Sequence, residues 1–339
     1  MTLTGKYDDT KKRIVSGMRP TGALHLGNYH GALKNWISMQ DHHDCFFFIA
    51  DWHALTSNYE DPGDISAFTR QMMVDWLSAG LSPEKSTLFI QSDIKEHAEL
   101  YLILSMITPT PWLERNPTYK DQIDQLNTKD LSTFGFLGYP VLQAADIIIY
   151  KAQGVPVGVD QCAHIEITRE IARRFNYLYG HVFPEPETIL TQTAKILGTD
   201  RRKMSKSYGN AIYLSDAPEA ITATALKMIT DPQRARKSDP GNPDICNVFE
   251  FHKLYSPEEM VASVREDCRA AKIGCVDCKK MMAANLVTAL APIRDKNAYY
   301  RDHPAEVDAI LAAGRETAGQ VARQTMDDVR TAIRLQSSE

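Results

Sequence analysis

No apolar run in this 339-residue chain approaches the ~18 residues that a membrane-spanning helix needs; CFFFIA at 45–50 is the size of a strand. A helical membrane protein is thereby excluded. The first residues, MTLTGKYDDTKKR, are polar and carry acidic groups, unlike an export or import leader. A soluble, cytoplasmic protein with no membrane partner is therefore expected. Positive charge is not in excess either: 38 Lys and Arg stand against 43 Asp and Glu, a net charge of −5. That excludes a surface coated in positive potential, but not nucleic-acid contact through local groupings. Three such groupings occur, REIARRFN (169–176), DRRKMSKS (200–207) and RARK (234–237), and each also reads as an ordinary solvated face. Cysteine is scarce, six residues in all, and three of them crowd into CRAAKIGCVDC (268–278). In a reducing compartment such a cluster points to metal ligands or redox groups rather than disulfides. Internal repeats and low-complexity tracts are absent. Apolar material is ample at 43%, enough for a full core and, at this length, for two domains.

Through the first half, short apolar stretches alternate with helical ones. KRIVSGMRPTG reads as a buried strand ending in a Gly/Pro turn, and NYHGALKNWISMQ as a helix with Leu33, Trp36, Ile37 and Gln40 at helical spacing. CFFFIADWHALT is a second strand that turns polar, DISAFTRQMMVDWLSAGL a helix, and STLFIQSD a third strand. This alternation predicts an α/β fold with a parallel sheet, whose ligands sit beyond the C-terminal ends of the strands. Residues 117–134 are polar and read as a surface insertion or mobile helix. YPVLQAADIIIYKAQGVPVGVDQ gives a helix, a turn and a strand, and AHIEITREIARRFNYLYG a helix stopping at Gly180. Beyond about residue 214 only helices are expected, with Ser215, Ser256 and Pro304 as start signals for three of them. The expected division is a first domain over 1–200, a loop and linker over 201–213, and a helical domain over 214–339 whose final helix packs back on the first.

Three motifs carry chemistry. PTGALHLGNYHG (20–31) lies at the first strand-to-helix turn, where glycines allow close backbone approach and a helix N-terminus offers N–H groups to phosphate. His25 and Asn28 suit hydrogen bonding to a phosphate in its pentavalent state. KMSKS (203–207) sets two lysines around a serine in a charged loop, fit to neutralise a leaving pyrophosphate and to close on ATP. VPVGVDQ (155–161) brings Gly158 near a ribose, offers Asp160 to its hydroxyls and aims Gln161 at a substrate. Each alone also reads as a structural turn, a basic surface loop or a helix start.

Together and in this order, these stretches resemble the class I aminoacyl-tRNA synthetases, with HLGN in place of the HIGH motif and KMSKS unchanged. Within that class the chain resembles the tryptophanyl/tyrosyl pair, and over nearly its whole length the bacterial-type tryptophanyl members, through GMRPTG, GNYHGAL, DWHALT, YPVLQAADI, VPVGVDQ and HIEITREIARRFN. The one departure, Asn28 for the motif's last histidine, is usual in this subfamily. The resemblance implies a Rossmann-like doubly wound sheet with a C-terminal helical anticodon-binding domain, a homodimer, and a two-step reaction. Tryptophan's carboxylate attacks the ATP α-phosphate, and the acyl group then passes to tRNA(Trp). It implies that Lys203 and Lys206 with Mg²⁺ stabilise pyrophosphate, while His25 and Asn28 support the α-phosphate. Arg19, Pro20, Thr21 and Gly27 would admit ATP, with Gly158, Val159 and Asp160 at its ribose. Ile196, Met204, Ser205 and Ser207 complete the nucleotide side.

Which amino acid is activated rests on the pocket. Asp146 suits an indole N–H or a phenol O–H, so it does not decide. Resembling tyrosyl enzymes place a Tyr on the first strand where this chain has Val15, which packs on a ring but cannot hydrogen-bond it. Indole has one donor and no acceptor, so one carboxylate and apolar walls from Ile147, Val155 and Val157 favour tryptophan. By resemblance, Tyr139, His53 and Gln161 hold the substrate's ammonium and carboxylate. A tyrosine substrate, or a synthetase-like RNA-binding regulator without aminoacylation, remain the alternatives.

Of the cysteines, Cys45 reads as a packed core thiol and Cys162 as an inert neighbour of the site. Cys246, Cys268, Cys275 and Cys278 offer the four thiolates of a structural zinc or an iron–sulfur cluster, and spacing alone separates neither from the other nor from unliganded thiols. GCVDC reads as a tight turn before Lys279 and Lys280. A subset of bacterial tryptophanyl enzymes carries this four-cysteine pattern around a [4Fe–4S] cluster beside the anticodon-binding region. The resemblance therefore implies that cofactor here, with zinc as the alternative.

Overall fold

The structure, a computed structural model, describes residues 11–116, 133–191 and 196–335. The polar stretch expected at 117–134 lies outside these residues except for its last two, and so does the side chain of Asp160.

Five strands form one wholly parallel sheet: β1 (Arg13–Met18), β2 (Asp44–Ile49), β3 (Ser86–Ile90), β4 (Gly154–Val157) and β5 (Glu187–Leu190). Their order is β3-β2-β1-β4-β5. Helices cover both faces of a parallel sheet, so its inner strands are continuous apolar runs rather than alternating ones. In β2, Cys45 through Ile49 are all buried. The edge strand β5, ETIL, has no fully buried residue, and its apolar signal is correspondingly weak. The chain proceeds from β1 through β2 to β3, then crosses back to lay β4 on the other side of β1. The reversal opens a crevice at the C-terminal ends of β1 and β4, where open α/β sheets take their ligands.

The first crossover begins with α1 (Leu26–Asn28), passes through a π-helical turn at Tyr29–Leu33 and continues as α2 (Lys34–Met39). The sequence suggests one unbroken helix here. The widened turn falls largely before the apolar positions that mark the helix, so their spacing carries no trace of it. The remaining helices of this half are α3 (Asp51–Ser57), α4 (Ile65–Ala79), α5 (Glu96–Ile107), α6 (Thr110–Glu114), α7 (Phe134–Ile148) and α8 (Cys162–Tyr179).

The C-terminal part contains α9 (Pro218–Leu226), α10 (Asn247–Tyr255), α11 (Glu258–Arg269), α12 (Cys275–Asp302) and α13 (Pro304–Ala332). Among the described residues no strand follows β5. Helices α9 and α11 start a little later than Ser215 and Ser256 suggest, at Pro218 and after Pro257. Proline there has its φ preset for entry into a helix and no N–H to leave unpaired.

Alternation along β1 sends Ile14 and Val15 to opposite faces. On the Ile14 side, one apolar cluster runs through Phe47, Leu88 and Ile212 into Phe249, Met282 and Leu286, so the helical part shares a core with the sheet. The Val15 side packs Phe46, Phe89, Ile148 and Phe175 with Ala318, Ala322 and Met326 of α13. Where α13 crosses β3, a Cβ on Gly314 would lie 1.8 Å from the carbonyl oxygen of Leu88. Only glycine permits that approach.

Candidate active site

The β1/β4 crevice holds a cavity of about 370 Å³. The end of β1 supplies Ser16, Gly17, Met18 and Arg19, and the end of β4 supplies Val155, Val157 and Gly158. One face of α7 supplies Tyr139, Gln143, Asp146 and Ile147, at the i, i+4, i+7 spacing that stacks side chains along a helix. His53 from α3 and Gln161 before α8 complete the set expected from sequence, apart from Val15. That residue is wholly buried in the core cluster with Ile147 and Val155, behind the wall rather than on it.

At the cavity's inner end Asp146 is wholly buried, yet it accepts hydrogen bonds from His53 Nε2 (2.7 Å to Oδ2) and His97 Nδ1 (2.6 Å to Oδ1). Burial alone would push this carboxyl's pKa up; the hydrogen bonds from the two histidines outweigh it and bring it to about 2. The result is an ionised acceptor in the wall of a cavity that Phe48, Ile147 and Trp36 also line. His53 thus meets the acid end of the cavity in this structure. On another wall, burial raises the Tyr139 pKa to about 12, so its hydroxyl keeps its proton and donates to His164 Nε2 at 2.7 Å. The other nitrogen, Nδ1, lies 3.1 Å from Gln161 Oε1.

Sequence reasoning missed His164, His97, Gln143, Phe48 and Trp36. Gln143 was recoverable from its helical spacing to Tyr139 and Asp146, and His164 from its position one turn after Gln161. No local signal marks His97, because buried polar partners are chosen by tertiary neighbours.

The nucleotide side is built where two loops meet. His25 is the N-cap of α1: its Nδ1 accepts from Asn28 N (3.2 Å), and His25 N donates to Asn28 Oδ1 (3.1 Å). This reciprocal pairing satisfies two backbone donors that a helix start leaves unpaired. Burial, and then the charge of Lys206, lower the His25 pKa to about 4. The ring is neutral near pH 7; with Nδ1 as acceptor, its Nε2 carries the hydrogen and can act as a donor. A Cβ on Gly27 would sit 2.9 Å from the His25 ring and 3.4 Å from Met204, so its bare backbone lets the KMSKS segment lie close to HLGN.

That segment is held by Asn210, whose Oδ1 accepts from Ser205 N (2.8 Å) and whose Nδ2 donates to Asp200 (2.7 Å) and the Lys203 carbonyl (3.3 Å). Ser205 and Ser207 hydroxyls are 2.9 Å apart. Met204 and Ile196 are buried, Lys203 is exposed, and Lys206 Nζ reaches Thr21 Oγ1 at 3.3 Å. Pro20 is buried at the same turn, and Val159 is exposed beside Gly158. The backbone places Asp160 between Val159 and Gln161.

Away from the crevice, the four C-terminal cysteines converge from three helix ends. Cys246 caps α10, Cys268 lies in the last turn of α11, and Cys275 and Cys278 form the first turn of α12. The GCVDC stretch is therefore a helix start, with Gly274 as its cap and the two thiols on one face. Arg234 Nη1 stands 3.9 Å from Cys268 Sγ and 3.8 Å from Cys275 Sγ. A Cβ on Gly241 would lie 2.5 Å from Cys268 Sγ. Burial first, and then the other thiols, push up the pKa of Cys278, to about 12. Among the described residues, no three His, Cys, Asp or Glu side chains are placed to share one metal ion. Four sulfurs are the donor set of a structural zinc and of an iron–sulfur cluster alike, and Arg234 stands beside two of them. Lys279 donates to the Leu226 carbonyl at the end of α9 (2.9 Å) and so is already engaged. Cys45 is buried in the core, and Cys162 Sγ lies 3.9 Å from the Gly158 carbonyl.

Residues 8–291 match the family described as tRNA synthetases class I (W and Y). Over 95% of its length the chain is 54% identical to the tryptophan–tRNA ligase of Thermotoga maritima, covering 99% of that protein. It is 46% identical to the tryptophan–tRNA ligase of Aquifex aeolicus, with 95% of this chain and 100% of that one covered. Among solved structures it is similar to tryptophanyl-tRNA synthetase from Campylobacter jejuni complexed with ADP and tryptophan. The TM-score is 0.87 at 33% identity, over 95% of this chain and 99% of the other.

Proposed function

Since the chain belongs to the class I tRNA synthetases for tryptophan and tyrosine, we propose that its β1/β4 crevice joins L-tryptophan to ATP and passes the acyl group to tRNA(Trp). The enzyme is a tryptophan–tRNA ligase. The observation that carries the site assignment is a cavity with a buried, ionised Asp146 in its wall and Arg19 at its mouth, two residues before Thr21, which Lys206 contacts. Indole N–H donates to Asp146 while Phe48 and Ile147 flank the ring. Tyr139 and Gln161 orient the ammonium and carboxylate, whereas His53, bonded to Asp146, sits at the indole end instead.

The substrate carboxylate is already a nucleophile, so no general base is needed, and the rate comes from positioning and charge stabilisation. His25 Nε2 and Asn28 donate to the α-phosphate, Gly27 admits it closely, and Lys203 and Lys206 take up the charge of the departing pyrophosphate. Mg²⁺ enters with ATP and neutralises phosphate charge. Gly158 and Asp160 hold the ribose. Tryptophan-dependent exchange of pyrophosphate into ATP tests this reading, with tyrosine run in parallel; exchange driven by tyrosine, or by neither, overturns it.

The helical part from residue 214 onward is read as the anticodon-binding domain, with Cys246, Cys268, Cys275 and Cys278 as ligands of a [4Fe–4S] cluster. Such a cluster would tie the ends of α10, α11 and α12 together, with Arg234 offsetting its negative charge. Convergence of four thiols from three helix ends supports this reading. A homodimer is supported by the exposed apolar side chains Leu102, Met106 and Phe134 on adjacent helices α5 and α7. Action on tRNA fits the cytoplasm. Among the described residues no helix is long and apolar enough to cross a membrane.

A further inference from the structure

Behind Asp146, on the side away from the cavity, lies a polar chain that neither the nucleotide chemistry nor the cavity wall uses. His97, at the start of α5 and wholly buried, directs Nδ1 to Asp146 Oδ1 and Nε2 to the Tyr150 hydroxyl, each at 2.6 Å. Gln91 Nε2 bridges both carboxylate oxygens at 2.8 and 2.9 Å. Tyr150 follows Asp146 by four residues at the end of α7, so one stretch of chain holds both ends of the His97 link. Phe46 and Phe89 close over Tyr150, while Phe48 and Phe89 flank His97.

The hydrogens can be placed by asking which arrangement leaves no buried donor unmatched. With Tyr150 donating to Nε2, the ring's hydrogen sits on Nδ1 and donates to Asp146, and every donor is used. With Nε2–H donating to the phenol oxygen, the phenol hydrogen has no acceptor among the described residues. Asp146, a carboxylate that can only accept, fixes the hydrogen of His97 on Nδ1, and Tyr150 holds the ring from the other side by donating to Nε2.

A carboxylate offers about four lone-pair positions. Gln91 takes one on each oxygen, His97 the outer one on Oδ1, and His53 the outer one on Oδ2. Of these three donors only His53 lines the cavity. With all four positions taken, a ligand N–H entering from the cavity takes the place of His53 on Oδ2, while Oδ1 stays bound from behind.

We propose that His97, its ring held at Nε2 by Tyr150, is a positioning residue that sets specificity for the indole N–H by anchoring Asp146 with Oδ2 turned to the cavity. The proposal rests on the reading of this cavity as the tryptophan site. Without His97 only Gln91 holds the carboxylate from behind, so Asp146 can turn or take a proton more easily, and the acceptor aimed at the substrate is weakened while the apolar walls remain.

The test measures pyrophosphate exchange with tryptophan and with its sulfur isostere, β-(benzothiophen-3-yl)alanine, which has the same shape but no N–H. Tyr150→Phe and His97→Leu are expected to raise KM for tryptophan about ten-fold, the scale of one charge-assisted hydrogen bond. Values of kcat, KM for ATP and KM for the isostere should stay unchanged. His97→Asn, which keeps a donor near the position of Nδ1, should recover most of the loss. Equal increases in KM for both amino acids would mean general damage to the pocket and overturn the proposal, as would no change in Tyr150→Phe. That variant removes a single oxygen, so it decides the matter even if His97→Leu does not fold. Wild-type enzyme that fails to exchange with tryptophan overturns the site reading itself; an active wild type with unresponsive variants overturns only the role of His97.

Discussion

Lys206 Nζ lies 3.3 Å from Thr21 Oγ1, so the second lysine of KMSKS already rests on the turn that leads into HLGN. The same ammonium stands where a Cβ on Gly22 would meet it at 3.4 Å. Lys206→Ala should lower the rate of adenylate formation by about a hundred-fold or more, the usual scale for losing one preorganised charge at a reacting phosphate. Tryptophan affinity, measured by equilibrium binding, should be nearly unchanged. Equal loss in both would remove Lys206 from the leaving-group role.

The same lysine predicts a pH limb. Burial lowers its pKa to about 8, opposed in part by the charge of Asp75. Below that value Lys206 is protonated and carries the charge that faces pyrophosphate; above it the charge is lost. At subsaturating ATP, adenylate formation should therefore fall as pH rises through about 8. Arginine stays charged throughout this range, so Lys206→Arg, though slower, should show no such limb. A limb that persists in the arginine variant belongs to another group.

Much of this was legible in sequence, and the exceptions have physical causes. The inner strands β1, β2 and β3 announce themselves because strands covered on both faces must be apolar throughout. The loops at 20–31 and 203–207 are legible because phosphate chemistry demands particular residues at short spacing. Strand β5 escapes because an exposed edge needs little hydrophobicity, and Val15 stands behind the pocket wall rather than on it. The His97–Asp146–Gln91 set was illegible for a deeper reason. Its members come from α5, α7 and the turn after β3, and nothing local to EHAELYLILSMI distinguishes a histidine paired to a distant carboxylate from one facing water.

Asn28 joins structure and chemistry in a way that two substitutions can separate. Its Oδ1 accepts from His25 N to close the α1 cap, leaving its amide N–H₂ for phosphate. Asn28→Asp keeps the acceptor but sets a negative charge against ATP. Stability should be nearly unchanged, while KM for ATP rises steeply. Asn28→Ala loses both roles and should cost about 1 kcal/mol in denaturant unfolding as well. An aspartate variant with normal KM for ATP would remove Asn28 from the nucleotide site.

Gly314 gives a purely steric prediction. A methyl group there would sit 1.8 Å from Leu88 O, and both partners are backbone, so neither side chain can yield. Gly314→Ala should force α13 off β3 and destabilise the protein by about 3 kcal/mol. A Cβ at Gly135 in α7 meets nothing within 4 Å. Gly135→Ala should therefore be neutral or stabilising by up to about 1 kcal/mol. Urea unfolding of the two variants checks the contrast, and similar values for both would mean that the α13–β3 contact is looser than it is drawn.

The four thiols carry the last prediction, which turns on their distance from the chemistry. They join the ends of α10, α11 and α12, whereas the ATP and tryptophan groups lie on β1, β4, α7 and the two loops. Protein purified without air should be brown, with about four irons and four sulfides per chain for one [4Fe–4S] cluster. Colourless protein with a single zinc would overturn the iron–sulfur reading. Cys278→Ser should reduce the iron content and speed amide exchange at these helix ends, because three chain segments lose their common tie. Tryptophan-dependent pyrophosphate exchange should remain close to wild type. Tight tRNA binding should weaken if the tied helix ends present Lys280 and its neighbours to the anticodon. Loss of iron with neither faster exchange nor weaker tRNA binding would leave the cluster without the structural or recognition role assigned to it.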